Sequence, residues 1–181
     1  MPKRNIYNAR PVPKKDVKVR DAVTNVEAFT YDEQFLKNAI NWIAFWRKYP
    51  FHFCKYYLGI NLKPFQCVLL YQMMNNTNFC FCAARGLGKT FLTAIFAICR
   101  CILYPGTKVV IASGVRSQAF EVFVKINDLY RDCPMLREEI LFKTESKIDP
   151  LIEFKNGSTI ATVTANDNSR GKIMPFVMKA A

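Results

Sequence analysis

The sequence predicts an α/β fold, a parallel sheet flanked by helices, on three observations. Residues 78–104 read as a buried strand, a glycine-containing turn and an apolar helix. Residues 108–112 then supply a second buried strand after a Pro105-Gly106 stop. Further on, Asn156-Gly157 separates two alternating segments, 151–155 and 158–164, and is the clearest hairpin signal in the chain.

The first of these stretches carries the chemistry. Residues 78–83 are short, apolar and end on small side chains, which suits a central parallel strand covered on both faces. Ala84-Arg85-Gly86-Leu87-Gly88 turns the chain, and Gly86 and Gly88 can take the positive φ that a Cβ would strain. Successive N–H groups in such a turn point inward, and the helix that follows adds its unpaired amides and positive dipole end. A polyphosphate fits there. Lys89 would place an ammonium on the outer phosphates, and the Thr90 hydroxyl is a natural ligand for the Mg²⁺ that accompanies them. The usual phosphate-loop pattern asks for glycine at position 83, where this chain has Ala83. The expected fold is therefore P-loop NTPase-like, with ATP and Mg²⁺ as cofactors.

At 181 residues the chain can bury one good core. A 51% hydrophobic, 14% aromatic composition excludes wholesale disorder. The net charge is +12, and half of it sits in the first twenty residues, where Lys3, Arg4, Arg10, Lys14, Lys15, Lys18 and Arg20 face only Asp16. A polyanion partner is expected. Seven cysteines, an odd number with no apolar leader segment, imply reduced thiols in a cytosolic compartment rather than a disulfide framework or secretion. No C-x-x-C occurs and His52 is the only histidine, so buried packing is a better reading of the cysteines than zinc binding. The longest apolar run, 91–104, is too short to span a bilayer and contains Arg100.

Taken in order, residues 1–29 read as a basic arm with Pro2, Pro11 and Pro13, and two readings stand: a solvated terminus or a contact with nucleic-acid phosphates. Thr30 and Glu33 have the form of a capping box. Phe35, Ala39, Trp42 and Phe45 or Trp46 recur at helical spacing, as a face expected to be core, until Pro50. Residues 50–58 form a short second helix closed by Gly59. Pro64 starts a helix through Met74 that should bury Val68, Leu69 and Met73. At its start Gln66 offers a carboxamide, whose donor and acceptor can pair with an adenine edge. Its place one helix before the phosphate turn favours adenine over guanine.

Beyond the turn, 90–104 is a helix, and with the strands on either side it makes a right-handed βαβ unit. A helix from 115 to 132 presents Ala119, Val122, Phe123, Ile126 and Leu129 on one face, and Pro134 breaks it. After the hairpin comes a polar loop containing Arg170.

These residues in this order resemble the large subunit of tailed-phage terminases, the motor that packages DNA into a capsid. The resemblance is carried by Lys63-Pro64-Phe65-Gln66, by 84–90, by Ala112-Ser113-Gly114-Val115-Arg116-Ser117-Gln118-Ala119, by 152–158 and by Ser169-Arg170-Gly171. It covers about residues 29 to 171 and implies that 30–181 is part of a P-loop ATPase domain behind the arm at 1–29. It also accounts for Ala83, because the family's phosphate loop often lacks the first glycine and carries an arginine where Arg85 stands. Lys89 and Arg85 would then act on the γ-phosphate. Arg170 would reach a neighbouring subunit's nucleotide as a trans finger, or be an ordinary surface arginine. The implied partners are double-stranded DNA, other copies of the chain or a separately encoded remainder of the motor, the capsid portal and the small terminase subunit, in the cytoplasm of a bacterial host.

One departure qualifies the expected activity. The family continues into an apolar strand ending in an acidic pair, and here Met174-Pro175-Phe176-Val177-Met178 is followed by Lys179-Ala180-Ala181. Lysine and alanine cannot ligate Mg²⁺ or polarise water. The nuclease domain of the family is not expected in this chain, and hydrolysis by the chain alone should be very slow or nil. The alternatives are a non-hydrolysing ATP- and DNA-binding module that modulates an intact motor, and a truncated helicase-type P-loop ATPase.

Overall fold

A computed structural model describes residues 33–84, 86–113, 116–144, 150–164 and 176–179. The chain divides into two units, 1–44 and 45–181. Of the first, the described part is the beginning of helix α1 (Glu33–Lys48), which carries Glu33 in its opening turn, where a carboxylate favours the helix dipole. Thr30, the expected cap, lies outside the described residues.

The second unit holds the rest. Pro50 opens α2 (Pro50–Phe53), which passes into a π-helical turn, Cys54–Leu58, and Gly59 closes it at φ 73°, as a left-handed C-terminal residue should. α3 (Pro64–Asn75) and α4 (Lys89–Leu103) follow, then β1 (Lys108–Ser113), α5 (Arg116–Asp132), α6 (Pro134–Glu139), β2 (Ile140–Lys143), β3 (Leu151–Phe154), β4 (Thr159–Thr164) and β5 (Phe176–Lys179).

The sheet is mixed, in the order β2-β3-β4-β1-β5. β1 pairs in parallel with β4 and with β5, whereas β2, β3 and β4 are antiparallel neighbours. The expected parallel sheet is thus corrected to a mixed one: the Asn156-Gly157 hairpin, as expected, runs β3 and β4 in opposite directions, and β2 adds a further antiparallel strand that was not expected. Gly157 sits at φ 79° in that turn. A second correction concerns 78–83. Residues 79–84 form no strand, and Phe79, Cys80 and Cys82 are exposed. A strand exists only where a neighbour completes its ladder, and among the described residues none pairs with this segment. The expected βαβ unit therefore lacks its first strand.

The core is organised on α4, whose residues from Ala94 to Cys99 are all buried, together with Cys101, Ile102 and Leu103. It packs against α3, α5, β1 and β4. α5 buries Ala119, Val122, Phe123, Ile126 and Leu129, the stripe its spacing predicts. Two other faces depart from expectation. In α1 Trp46 is buried, but Trp42 is 57% exposed and Phe45 38%. In α3 Met73 is buried and Leu69 partly buried, as expected, but Val68 is 60% exposed, and Leu70 and Met74 go inward as well. Pro134 ends α5 and also begins α6, taking the first-turn position where its missing N–H costs nothing.

The last carbonyls of α4, which lack intrahelical partners, are claimed by side chains from two directions. Arg47 donates through Nε to Leu103 at 2.8 Å. Asn156 donates through Nδ2 to Cys101 at 2.7 Å and to Ile102 at 3.3 Å, and the buried Ser158 hydroxyl donates to Tyr104 at 3.2 Å. The guanidinium groups of Arg47 and Arg100 lie over the Tyr104 ring, 4.7 and 4.1 Å from its centre. The tail of α4 is thereby tied both to α1 and to the hairpin turn.

All seven cysteines are free thiols. Cys54 and Cys99 are buried with their sulfurs 3.5 Å apart. Burial, then the neighbouring Cys54, pushes the Cys99 thiol well above its ordinary range, and burial does the same to Cys101. Among the described residues no group of three metal-ligating side chains forms, and no helix is long and apolar enough to cross a membrane.

Candidate functional site

The site is the turn that delivers the chain into α4. Gly86 and Gly88 take φ of 84° and 76°, the left-handed region in which residues with a Cβ are strained. Gly88 is the N-cap of α4 and accepts the first helical bond, from Leu92 N–H at 2.9 Å. The amides of Lys89, Thr90 and Phe91 in the first turn thus have no intrahelical acceptor and lie at the positive end of a 15-residue helix. Leu87 N–H closes weakly on Ala84 at 3.5 Å. Ala84, Gly86 and Leu87 are exposed, and Gly88, Lys89 and Thr90 are half-buried.

Lys89 turns back across the turn, and its ammonium donates to the carbonyl of Ala83 at 2.7 Å. That carbonyl lies on the segment that forms no ladder, so the lysine occupies an acceptor that a neighbouring strand would otherwise use.

Gln66 reaches the same place from α3. It is 8% exposed, and its Oε1 accepts the Lys63 N–H at 3.0 Å, which fixes the carboxamide at the start of the helix. Its Nε2 then abuts Gly88, where an added Cβ would come to 3.3 Å of it. The two motifs that the sequence suggested separately, one for a base and one for phosphates, are brought side by side.

Beside them is a cavity of about 290 Å³, bounded by Leu87, Gly88 and Lys89 on one side and by Phe65, Leu69 and Phe81 on the other. These apolar walls were not legible in the sequence. Phe65 and Leu69 are one turn apart on α3, a spacing that also fits core packing, and Phe81 belongs to a segment expected to be a buried strand. Arg85 and Arg170 lie outside the described residues.

At the end of β1 the buried Ser113 hydroxyl donates to Gln118 Oε1 at 2.8 Å, joining two polar residues of the 112–119 motif. The three parallel strands β1, β4 and β5 contain no acidic residue, and Lys179, at the end of β5, stands beside Ala112. The arrangement can offer amides, one ammonium and one hydroxyl to an anion. Among the described residues of the turn, β1, β4 and β5 there is no carboxylate.

Residues 80–177, 98 of the 181, match the family described as terminase large subunit, T4likevirus-type, N-terminal. The matched range includes the turn, α4 to α6 and β1 to β4, while Gln66 precedes it. No curated protein matches the chain.

Proposed function

The chain belongs to the terminase large subunit family, T4likevirus-type, N-terminal part, and on that premise we propose that it is the nucleotide-binding half of a viral DNA-packaging motor, taking Mg-ATP at 84–90. The observation that carries the reading is the meeting of Gln66, Gly88 and Lys89 at one helix N-terminus. A left-handed glycine pair, first-turn amides without intrahelical acceptors and a half-buried ammonium fit a polyphosphate, and the apolar cavity next to them has the character of a base pocket.

The residues fit the nucleotide better than they fit the metal. Thr90 would contribute one hydroxyl to Mg²⁺, which otherwise keeps waters and phosphate oxygens. The ion supplies neutralisation of phosphate charge. Gln66 would orient the base, the first-turn amides would hold the phosphates, and Lys89 would exchange the Ala83 carbonyl for an outer phosphate oxygen. Arg85 would add a second cation.

Because β1, β4 and β5 bear no carboxylate, nothing described here activates water, and the chain alone should bind ATP without turning it over. Productive hydrolysis would need carboxylates beyond these strands, and the motor's work would be on double-stranded DNA with the portal and small subunit. Calorimetry with Mg-ATP on the wild type and on Lys89→Ala, paired with a phosphate-release assay, tests the reading. Heat from the wild type alone, with no phosphate from either, is the expected result. No heat from the wild type removes the nucleotide assignment, and steady release by the wild type removes the argument from missing acids.

A further inference from the structure

Across the end of α1 and the turns that follow it, Phe45, Tyr49, His52 and Tyr56 recur at helical spacing on a strip beside the buried Trp46, Phe53 and Tyr57, and are themselves not buried. An outward helix face normally carries polar side chains, and this one carries rings.

The rings are ordered into a column. His52 lies between Phe45 and Tyr56, with centroids 5.4 and 5.7 Å away and planes inclined by only 24° and 13°. Tyr49 packs against Phe45 at 5.3 Å. Tyr56, at the end of the column, is 67% exposed. Two ammonium groups flank it, Lys48 above the Tyr49 ring and Lys55 above the Tyr56 ring, each 5.3 Å from the centroid. Charge in the surrounding sequence is one-sided: between Glu33 and Glu121 there are ten lysines and arginines and no acid. The carboxylate of Glu139, which approaches the same helical turn, is bound by the hydroxyl of the buried Tyr57.

We propose that this aromatic column and its two lysines form a seat for an unpaired DNA strand, one base stacking on the outer face of Tyr56 while Lys48 and Lys55 take adjacent phosphates. Flat apolar faces interleaved with cations match a strand whose bases are free to stack. Duplex DNA presents phosphates but buries its base faces, so it would engage only the lysines. A protein partner would have to bring carboxylates and an apolar face together, which the ring geometry does not require. The inference rests on the reading of the chain as a DNA-handling component, and it concerns a surface separate from the 84–90 turn.

The test uses the full chain with a fluorescein-labelled oligothymidylate of 20 nucleotides and a duplex of equal length, followed by anisotropy at fixed salt. Tyr56→Ala should weaken oligothymidylate binding by about tenfold, the scale of one base–aromatic stack, and Tyr56→Phe should retain it. Lys55→Gln should weaken both ligands and flatten the salt dependence. Duplex binding should not respond to Tyr56→Ala. Urea titration of each variant checks folding, and exposed Leu141→Ala serves as a control away from the column. If wild type binds oligothymidylate and Tyr56→Ala binds it equally, or Tyr56→Phe loses as much as Tyr56→Ala, the seat is refuted while the DNA reading stands. If wild type binds neither ligand, both fall, and the face belongs to a protein partner.

Discussion

The ammonium of Lys89 and the carbonyl of Ala83 are joined at 2.7 Å, across the same turn whose Leu87 and Gly88 line the cavity. The group that the proposed function assigns to a phosphate is held by a neutral acceptor of its own chain. The bond is exchangeable, since Lys89 is half-buried and water can replace it on the carbonyl.

Removing that ammonium separates binding from folding. Lys89→Ala should weaken Mg-ATP by roughly 10- to 100-fold, the value of a charge-assisted bond to phosphate, while changing stability in urea by no more than about 1 kcal/mol. A large stability loss would show that the lysine is a structural tie and not a ligand-binding group.

Gly88 and Gln66 should behave as a coupled pair. Gly88→Ala places a Cβ at φ 76° and 3.3 Å from Gln66 Nε2, and about 1–2 kcal/mol of stability should be lost. Adding Gln66→Ala removes the close contact and leaves the backbone strain, so the double variant should lose less than the sum of the two single losses. Strict additivity in a double-mutant cycle would mean that the carboxamide does not bear on the turn.

Asn156 predicts an effect on α4 from a hairpin residue. Asn156→Ala removes both donors to Cys101 and Ile102 and the acceptor for Ser158 N–H, and should cost about 2 kcal/mol. Asn156→Asp keeps that acceptor but sets a carboxylate against the helix carbonyls, so it should be no better than alanine. Urea denaturation distinguishes this from a turn-only role, under which aspartate would rescue.

Stability should fall at alkaline pH. Burial holds the Cys99 and Cys101 thiols protonated in the fold, with pKa values raised above those of the unfolded chain. Their contribution is complete below the unfolded thiol pKa, about 8.5, and is lost as pH rises from there toward the folded values, because the unfolded chain then binds fewer protons. Urea midpoints should decline above that pH, and less steeply in Cys101→Ala than in wild type. The same burial predicts that iodoacetamide labels the exposed Cys80 and Cys82 well before Cys99 or Cys101, as peptide mass mapping can verify.

Where sequence alone sufficed, a local pattern had one physical outcome. Asn156-Gly157 requires a tight antiparallel turn, the stripe from Ala119 to Leu129 has one face to bury, and Gly86 and Gly88 needed positive φ. It failed where the outcome depended on a neighbour. Residues 79–84 have the composition of a buried strand but no described ladder partner, and Trp42 and Val68 have the spacing of core residues yet stay largely exposed. The site divides in the same way. Lys89, Gly88 and Gln66 were named from spacing and are brought together, whereas the cavity walls Phe65, Leu69 and Phe81 come from segments whose approach only folding decides.

The bonds that Arg47 and Asn156 make to the tail of α4 settle how the molecule can respond at its other end. A rod clamped at one end cannot slide along its own axis to make room for an incoming ligand. On the proposed reading, adjustment to a nucleotide would fall to the glycine turn at its head and not to the anchored tail.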